Sequence, residues 1–239
     1  MMKKEYIHDN QSSLWGDPEV IGFGDSSFYV KEMDRKEANA VIIKNHYSKK
    51  VYSATYINLG VYVDDQLKGV LQFGYAMNPA SCGSVVEGTK MDQYLELNRM
   101  WIDDGAGEYP ESRAISCATK YIKRKFPKIK WVQSFADERC GGFGIVYQAC
   151  SFSYYGEHLS SFWELDGETF HNSIKTSEKA GPRGFKLLND PSNEDRVWKH
   201  TLRQFRYIKF IDAKWKKRCL LKEQPYPKYY KKADQTKNK

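Results

Sequence analysis

The sequence has little from which to build a disulfide or zinc framework. Its cysteines, Cys82, Cys117, Cys140, Cys150 and Cys219, are odd in number, and no two are spaced as Cys-x-x-Cys. They read as reduced thiols of a cytoplasmic protein. No apolar run approaches the length of a membrane span. The opening residues, Met1 to Gln11, are polar and lack the apolar centre of a signal peptide. No internal repeat is present, which excludes solenoids and propellers. What the chain does hold is material for a substantial core: 239 residues, 41% hydrophobic and 15% aromatic, enough for one large domain or two small ones.

Net positive charge is lacking in most of the chain and crowded at its end. Residues 199–239 carry 14 Lys and Arg against 3 Asp and Glu, although the net charge of the whole protein is only +8. The rest is therefore slightly acidic. Clustering of one sign builds a local field, and that favours a polyanion partner over a general role in solubility. Within this segment Arg206, Lys214, Lys216, Lys217 and Arg218 stand among Trp215, Tyr226, Tyr229 and Tyr230. Basic residues interleaved with aromatics suit phosphate contacts and base stacking.

The organising stretch is Tyr94 to Asp137. Tyr94–Ile102 alternates and reads as a strand. Asp103–Pro110 is a Gly-containing turn. From Ser112 the period becomes helical, with Ala114, Ile115, Ala118, Tyr121 and Ile122 on one face and Ser112 expected as N-cap. Pro127 stops this helix, and residues 131–135 form a second buried strand. A strand, a helix and a strand in this space predict a right-handed crossover with parallel strands. Ligands in such sheets lie beyond the carboxyl ends of the strands. Here those ends carry Asp103, Asp104 and the run from Ser134 to Asp137.

Around this unit the expected elements are a strand over 27–32, a helix begun by Asp34 and ending at His46, and a hairpin of strands 58–63 and 67–75. Next come a short helix over 145–149, two separate strands over 152–155 and 161–165, an irregular stretch over 172–198, and a last strand over 206–211. The class is α/β with a mixed sheet. The chain divides into a loosely ordered arm (1–25), an α/β domain (26–211) and a basic extension (212–239). Alternation places Glu96 and Asn98 on one face of their strand and Arg99 on the other. Charges inside a strand require partners.

The order of elements is similar to that of the GNAT acyltransferase family. Five local words go further: Asn45-His46-Tyr47-Ser48, Glu96-Leu97-Asn98-Arg99, Glu111-Ser112-Arg113, Ser134-Phe135-Ala136-Asp137 and Tyr147-Gln148-Ala149. In this order they resemble the phage Mom proteins, from about Asp34 to Pro227. The resemblance implies a GNAT-like fold, double-stranded DNA as substrate, conversion of adenine to N6-carbamoylmethyladenine, and protection of phage DNA from restriction. It implies roles for His46 and Tyr47 at a helix end and for Tyr147 as general acid. Asp137, at a strand end, is the general-base candidate. Asn98, Arg99, Ser112, Arg113 and Ser134 are the expected substrate and donor contacts. No metal ligands are assigned. Two rival readings stay open: an ordinary N-acyltransferase acting on a small amine or protein, and a non-catalytic DNA-binding protein.

An acyl donor is implied as well. Acyltransferases of the GNAT kind usually offer a Gly-x-Gly turn whose N–H groups hold a pyrophosphate. Here the turn is Gly105-Ala106-Gly107-Glu108-Tyr109-Pro110-Glu111, where two carboxylates repel an anion and proline lacks an N–H. That weakens acetyl-CoA, which remains the alternative. The product implied by the resemblance favours activated glycine, as glycyl-tRNA, with tRNA as carrier.

Overall fold

The structure, a computed structural model, describes residues 21–138 and 141–228. The first twenty residues of the expected arm, and the extension from residue 229 with Tyr229 and Tyr230, lie outside the described residues. A nine-stranded sheet has the order β1-β2-β3-β4-β5-β6-β9-β7-β8. Its strands are β1 (Gly22–Gly24), β2 (Phe28–Glu32), β3 (Thr55–Val63), β4 (Gln66–Gly74), β5 (Tyr94–Ile102), β6 (Trp131–Asp137), β7 (Ser153–Leu165), β8 (Glu168–His171) and β9 (Val197–Phe210). The helices are α1 (Arg35–Asn45), α2 (Pro110–Lys125), α3 (Ile145–Ala149), α4 (Asn172–Thr176) and α5 (Pro182–Asn189). Among the described residues β5 and β6 are the one parallel pair, as the crossover through α2 requires. The mixed α/β class stands as expected. No helix among the described residues is long and apolar enough to cross a membrane.

Local chemistry accounts for most boundaries. Asp34 caps α1 by accepting from the Lys36 amide at 2.7 Å. The β3–β4 hairpin turns on Asp64 and Asp65, both at positive φ, as a tight two-residue hairpin needs. Helix α2 buries Ala114, Ile115, Ala118, Tyr121 and Ile122 against the inner side of the sheet, the face expected from its periodicity. Helix α1 covers the opposite side, where Ala38 and Ile42 meet Val70. On that same side Trp215, Cys219 and Leu221 of the basic extension pack against a cluster containing Val86, Tyr94, Trp131 and Ile208.

Four expectations are corrected. The two strands read over 152–155 and 161–165 are one strand, β7, because a register shift between Tyr154 and Glu157 and a left-handed Gly156 (φ +90°) absorb the break in alternation. The final strand is longer than 206–211, since Val197–Leu202 pair with the outer half of β7. The stretch 172–198 is not irregular. It folds as α4, α5 and two 3-10 segments around Leu165, Phe170 and Leu188. Ser112 is not the N-cap of α2: the helix starts at Pro110, with Tyr109 in the left-handed region before it, and the Ser112 hydroxyl donates back to Tyr109 O at 3.0 Å.

Candidate active site

The site is made by a seam that opens in the sheet. β5 and β6 pair only over Tyr94–Trp131, Leu95–Val132 and Glu96–Gln133. Beyond that, β5 keeps its pairing with β4 and β6 keeps its pairing with β9. The two strands therefore diverge while their outer edges stay anchored. The cause lies in β5. Phe73 pairs with Leu97 and Gln72 with Arg99, so Asn98 is an extra residue, a bulge that bends and twists the strand. At the fork the Leu97 carbonyl loses its ladder partner. Ser134, wholly buried, covers it with its Oγ at 3.3 Å.

A cavity of about 400 Å³ fills the open seam. Leu97 to Met100 line it from β5, Phe135 to Asp137 from β6, His46 and Tyr47 from the end of α1, and Gly144 to Tyr147 from α3. Six of the expected site residues (His46, Tyr47, Asn98, Arg99, Asp137 and Tyr147) thus come together. Ser134 joins them from behind, with its Oγ 2.9 Å from Tyr147 Oη.

Each wall residue is held by its neighbours. His46 is 6% exposed at the C-terminal end of α1. Its Nδ1 accepts from the Ser48 amide at 3.1 Å and lies 2.9 Å from Ser48 Oγ. With Nδ1 as the acceptor, a neutral ring carries its proton on Nε2 and acts as a donor there. Its ring rests against Tyr47, with centroids 4.3 Å apart. Tyr147 is wedged between Tyr207 and Phe152, at 5.4 and 5.6 Å. Glu138, next to Asp137, takes three contacts from Arg203 of β9: from the backbone N at 2.9 Å, Nη2 at 2.8 Å and Nε at 3.2 Å. Those contacts pin the end of β6.

The bulge also corrects the expected placing of Arg99. It resets the alternation, so Arg99 lies opposite Gln72 on the α1 side, with Glu96 rather than across from it. Its Nε reaches Lys50 O at 3.2 Å and its Nη1 reaches Asn98 O at 2.7 Å, which ties the loop after His46 to β5. Glu96 has the partners that a strand carboxylate needs: Asn98 Nδ2 at 3.1 Å and Gln133 Nε2 at 2.9 Å. Burial nonetheless holds its carboxyl above the usual range, opposed by those bonds and by Arg206 and Arg99.

Arg206 lies apart from Lys214–Arg218. It sits in the sheet over the Phe135 ring at 5.0 Å, and burial lowers its pKa. Its placement follows from β9 pairing, since Arg206 is the cross-strand partner of Phe135. Lys214, Lys216, Lys217 and Arg218 are exposed on a 3-10 segment. Ser112 and Arg113 line a second cavity of about 330 Å³, on the other side of α3, with Ser116, Cys150 and Lys209. Arg113 stacks over Phe28 at 4.1 Å. Lys209 donates to Cys150 O, and burial pulls its pKa down. Helix α3 separates the two cavities, since Tyr147 lines one and Ala149 the other.

Sequence reasoning did not single out Gly144. Its φ is +87°, and a Cβ there would lie 2.4 Å from the Tyr207 ring and 3.0 Å from Tyr147. Only its left-handed conformation, a signal present in the glycine itself, lets the loop settle on Tyr207 and start α3. Gly144→Ala is expected to cost about 2–4 kcal/mol from backbone and overpacking strain together, or roughly 5–15 °C in Tm. A thermal melt shifted by under about 2 °C would show that this contact is not tight.

A model of the Mom protein family matches residues 27–228 of this chain. The methylcarbamoylase Mom of Escherichia phage Mu is 43% identical over 230 residues, covering 95% of this chain and 94% of its own. Solved acetyltransferase structures are more distant. The ribosomal-protein-S5-alanine acetyltransferase of Vibrio fischeri is 10% identical with a TM-score of 0.47, covering 82% of this chain and 98% of its own. The acetyltransferase of Salmonella typhimurium that modifies the N-terminal serine of ribosomal protein L7/L12 is 11% identical with a TM-score of 0.46, covering 79% and 97%. A family model spanning the whole seam and a relative sharing over two-fifths of its residues across nearly the full length lead to one statement: the chain belongs to the Mom protein family.

Proposed function

We propose that this chain is a DNA-modifying transferase that converts adenine in duplex DNA to N6-carbamoylmethyladenine and so shields phage DNA from host restriction. The observation that carries the reading is the meeting of His46, Tyr47, Asp137 and Tyr147 in one cavity at the open seam of a Mom-family chain. The Mu relative is named a methylcarbamoylase, a name built from the same carbamoyl and methyl parts as the group to be added. A paired adenine is out of reach in a duplex, so the base is extruded into the cavity. Asp137 takes the proton that N6 must lose, as general base. His46, presenting Nε2–H, stabilises the oxyanion that forms at the donor carbonyl. Tyr147, oriented by Ser134, gives a proton to the leaving oxygen.

The product restricts the donor. In it N6 is bonded to CH2–C(=O)–NH2, whereas simple acyl transfer leaves a carbonyl on N6. Transfer of a glycyl group resolves this. N6 attacks the ester carbon of glycyl-tRNA, the C–O bond breaks, and the tRNA hydroxyl leaves. N6 then carries C(=O)–CH2–NH2. The free amine attacks C6 through a five-membered ring, and the old N6 departs as the terminal amide. The result is C6–NH–CH2–C(=O)–NH2, with no oxidant and no further nitrogen source. Holding carbonyl and base together supplies the rate of the first step. Ser112 and Arg113, with Lys209, hold the anionic carrier in the second cavity, across α3 from the base.

Mass spectrometry of nucleosides from DNA of cells expressing the protein, fed glycine labelled with 15N, tests both parts. The expected product is N6-carbamoylmethyladenine with the heavy nitrogen attached to purine C6 and the old N6 in the amide. Unmodified adenine would refute the function. Carbons traced to acetyl-CoA, or a product without the glycine nitrogen, would refute the donor alone.

A further inference from the structure

We propose that Ile145 fills the gap left in the duplex when the target base is extruded, and that Tyr47 is the ring on which the extruded base lies. The inference rests on the reading above that duplex DNA is the substrate. Exposed apolar side chains scattered singly need no explanation. These two are different because they line the same cavity from different elements while remaining open to solvent, Ile145 at 64% and Tyr47 at 55% exposure. They therefore stand at its mouth. A volume of about 400 Å³ suits a small-molecule-sized guest such as a purine with the acyl group beside it.

A plug must be apolar, stiff and carried on fixed backbone. Ile145 meets each condition. Its branched side chain has little χ1 freedom to lose in a helix. It is the first residue of α3, directly after Gly144, which is seated on the Tyr207 ring. The residue before that, Phe143, accepts from the Tyr207 hydroxyl through its carbonyl. On the chain's N-terminal side, Gly141 and Gly142 have open space among the described residues where a Cβ would stand. Tyr47 offers an aromatic ring backed by His46, suited to stacking on a base. Exposed Lys49 follows it and adds positive charge for a flanking phosphate, whereas Lys50 is paired with Glu168 at 3.8 Å.

The test compares modification of two duplexes that share one modifiable adenine. In one the adenine is paired; in the other it faces an abasic position, so little pairing has to be broken. Ile145→Ala is expected to slow modification of the paired duplex by about tenfold or more, because the gap is left unfilled. On the abasic duplex it should stay within about twofold of the unaltered protein. Ile145→Leu, which keeps the apolar bulk, should keep most of the rate on both. Equal losses on the two duplexes, or no loss on either, would overturn the assignment. If the unaltered protein modifies neither duplex, the DNA reading fails and the proposal with it.

Discussion

Asp137→Asn is expected to give a folded protein whose rate of adenine modification falls by about 10²–10⁴-fold, the usual worth of a positioned general base. The exchange nearly preserves shape, so it removes the base without emptying space. The end of β6 has other anchors as well. Asp137 pairs through its backbone with Gln204 on β9, and the next residue, Glu138, is held by Arg203. Quantifying modified nucleoside at early times, with a thermal melt of the same sample, separates lost chemistry from lost structure. A folded variant that keeps more than about a tenth of the rate would remove Asp137 from the mechanism. His46→Ala tests a different role. If His46 donates through Nε2–H, its loss weakens oxyanion stabilisation, worth about 10²–10³-fold where single donors have been removed from such sites.

How much of this was legible in the chain depends on how local each signal is. The bounds of β5 and α3 and the buried face of α2 follow from alternation and helical period, and the structure keeps them. The start of α2 was misread because Ser112 looks like a cap, whereas Pro110, pre-set for a first helical turn, is the stronger signal. β7 was split because Gly156 and the polar run Glu157-His158 break the pattern, and only pairing with β9 shows that the strand continues. The stretch 172–198 reads as polar because its short helices bury only a few side chains, such as Leu188.

The site was legible as a set of residues at strand and helix ends. Its shape was not. The seam depends on a one-residue mismatch between β4 and β5 at Asn98, and register is a property of two strands, not of one. The same mismatch moves Arg99 to the α1 side, against simple alternation. Arg206 shows the converse limit. Counted with its neighbours it belongs to a basic tail; placed opposite Phe135 in β9 it is an inner arginine near Glu96. Its charge lies close enough to Glu96 to favour the ionised carboxylate.

Removal of residues from 213 onward is expected to destabilise the whole domain and not merely to weaken DNA binding. The extension is a strap. Trp215, Cys219 and Leu221 cover Val86, Tyr94 and Trp131, and Leu220 N donates to Val85 O at 3.0 Å. Farther on, Gln224 N donates to Tyr154 O at 2.9 Å and the Tyr226 hydroxyl to Phe152 O at 2.8 Å. Uncovering that cluster forfeits about 3–6 kcal/mol of apolar burial, a large part of the 5–15 kcal/mol or so that holds a typical domain together. A truncated protein that melts with the full chain would show that the strap packs nothing of consequence. Truncation is therefore the wrong probe of the phosphate contacts proposed for this segment. Lys216 is paired with Glu223 at 2.7 Å, and Arg218 lies over Trp215 at 4.2 Å, so both also have structural work. Lys214 and Lys217 are exposed and make no ion pair among the described residues. Replacing both with alanine should change stability by no more than about 0.5 kcal/mol for each. If each neutralises one phosphate, the slope of log K against log salt should flatten by about 0.9 per lysine. An unchanged slope and affinity in the double variant would place the DNA elsewhere on the protein, while the melt of the truncated chain would still report the strap.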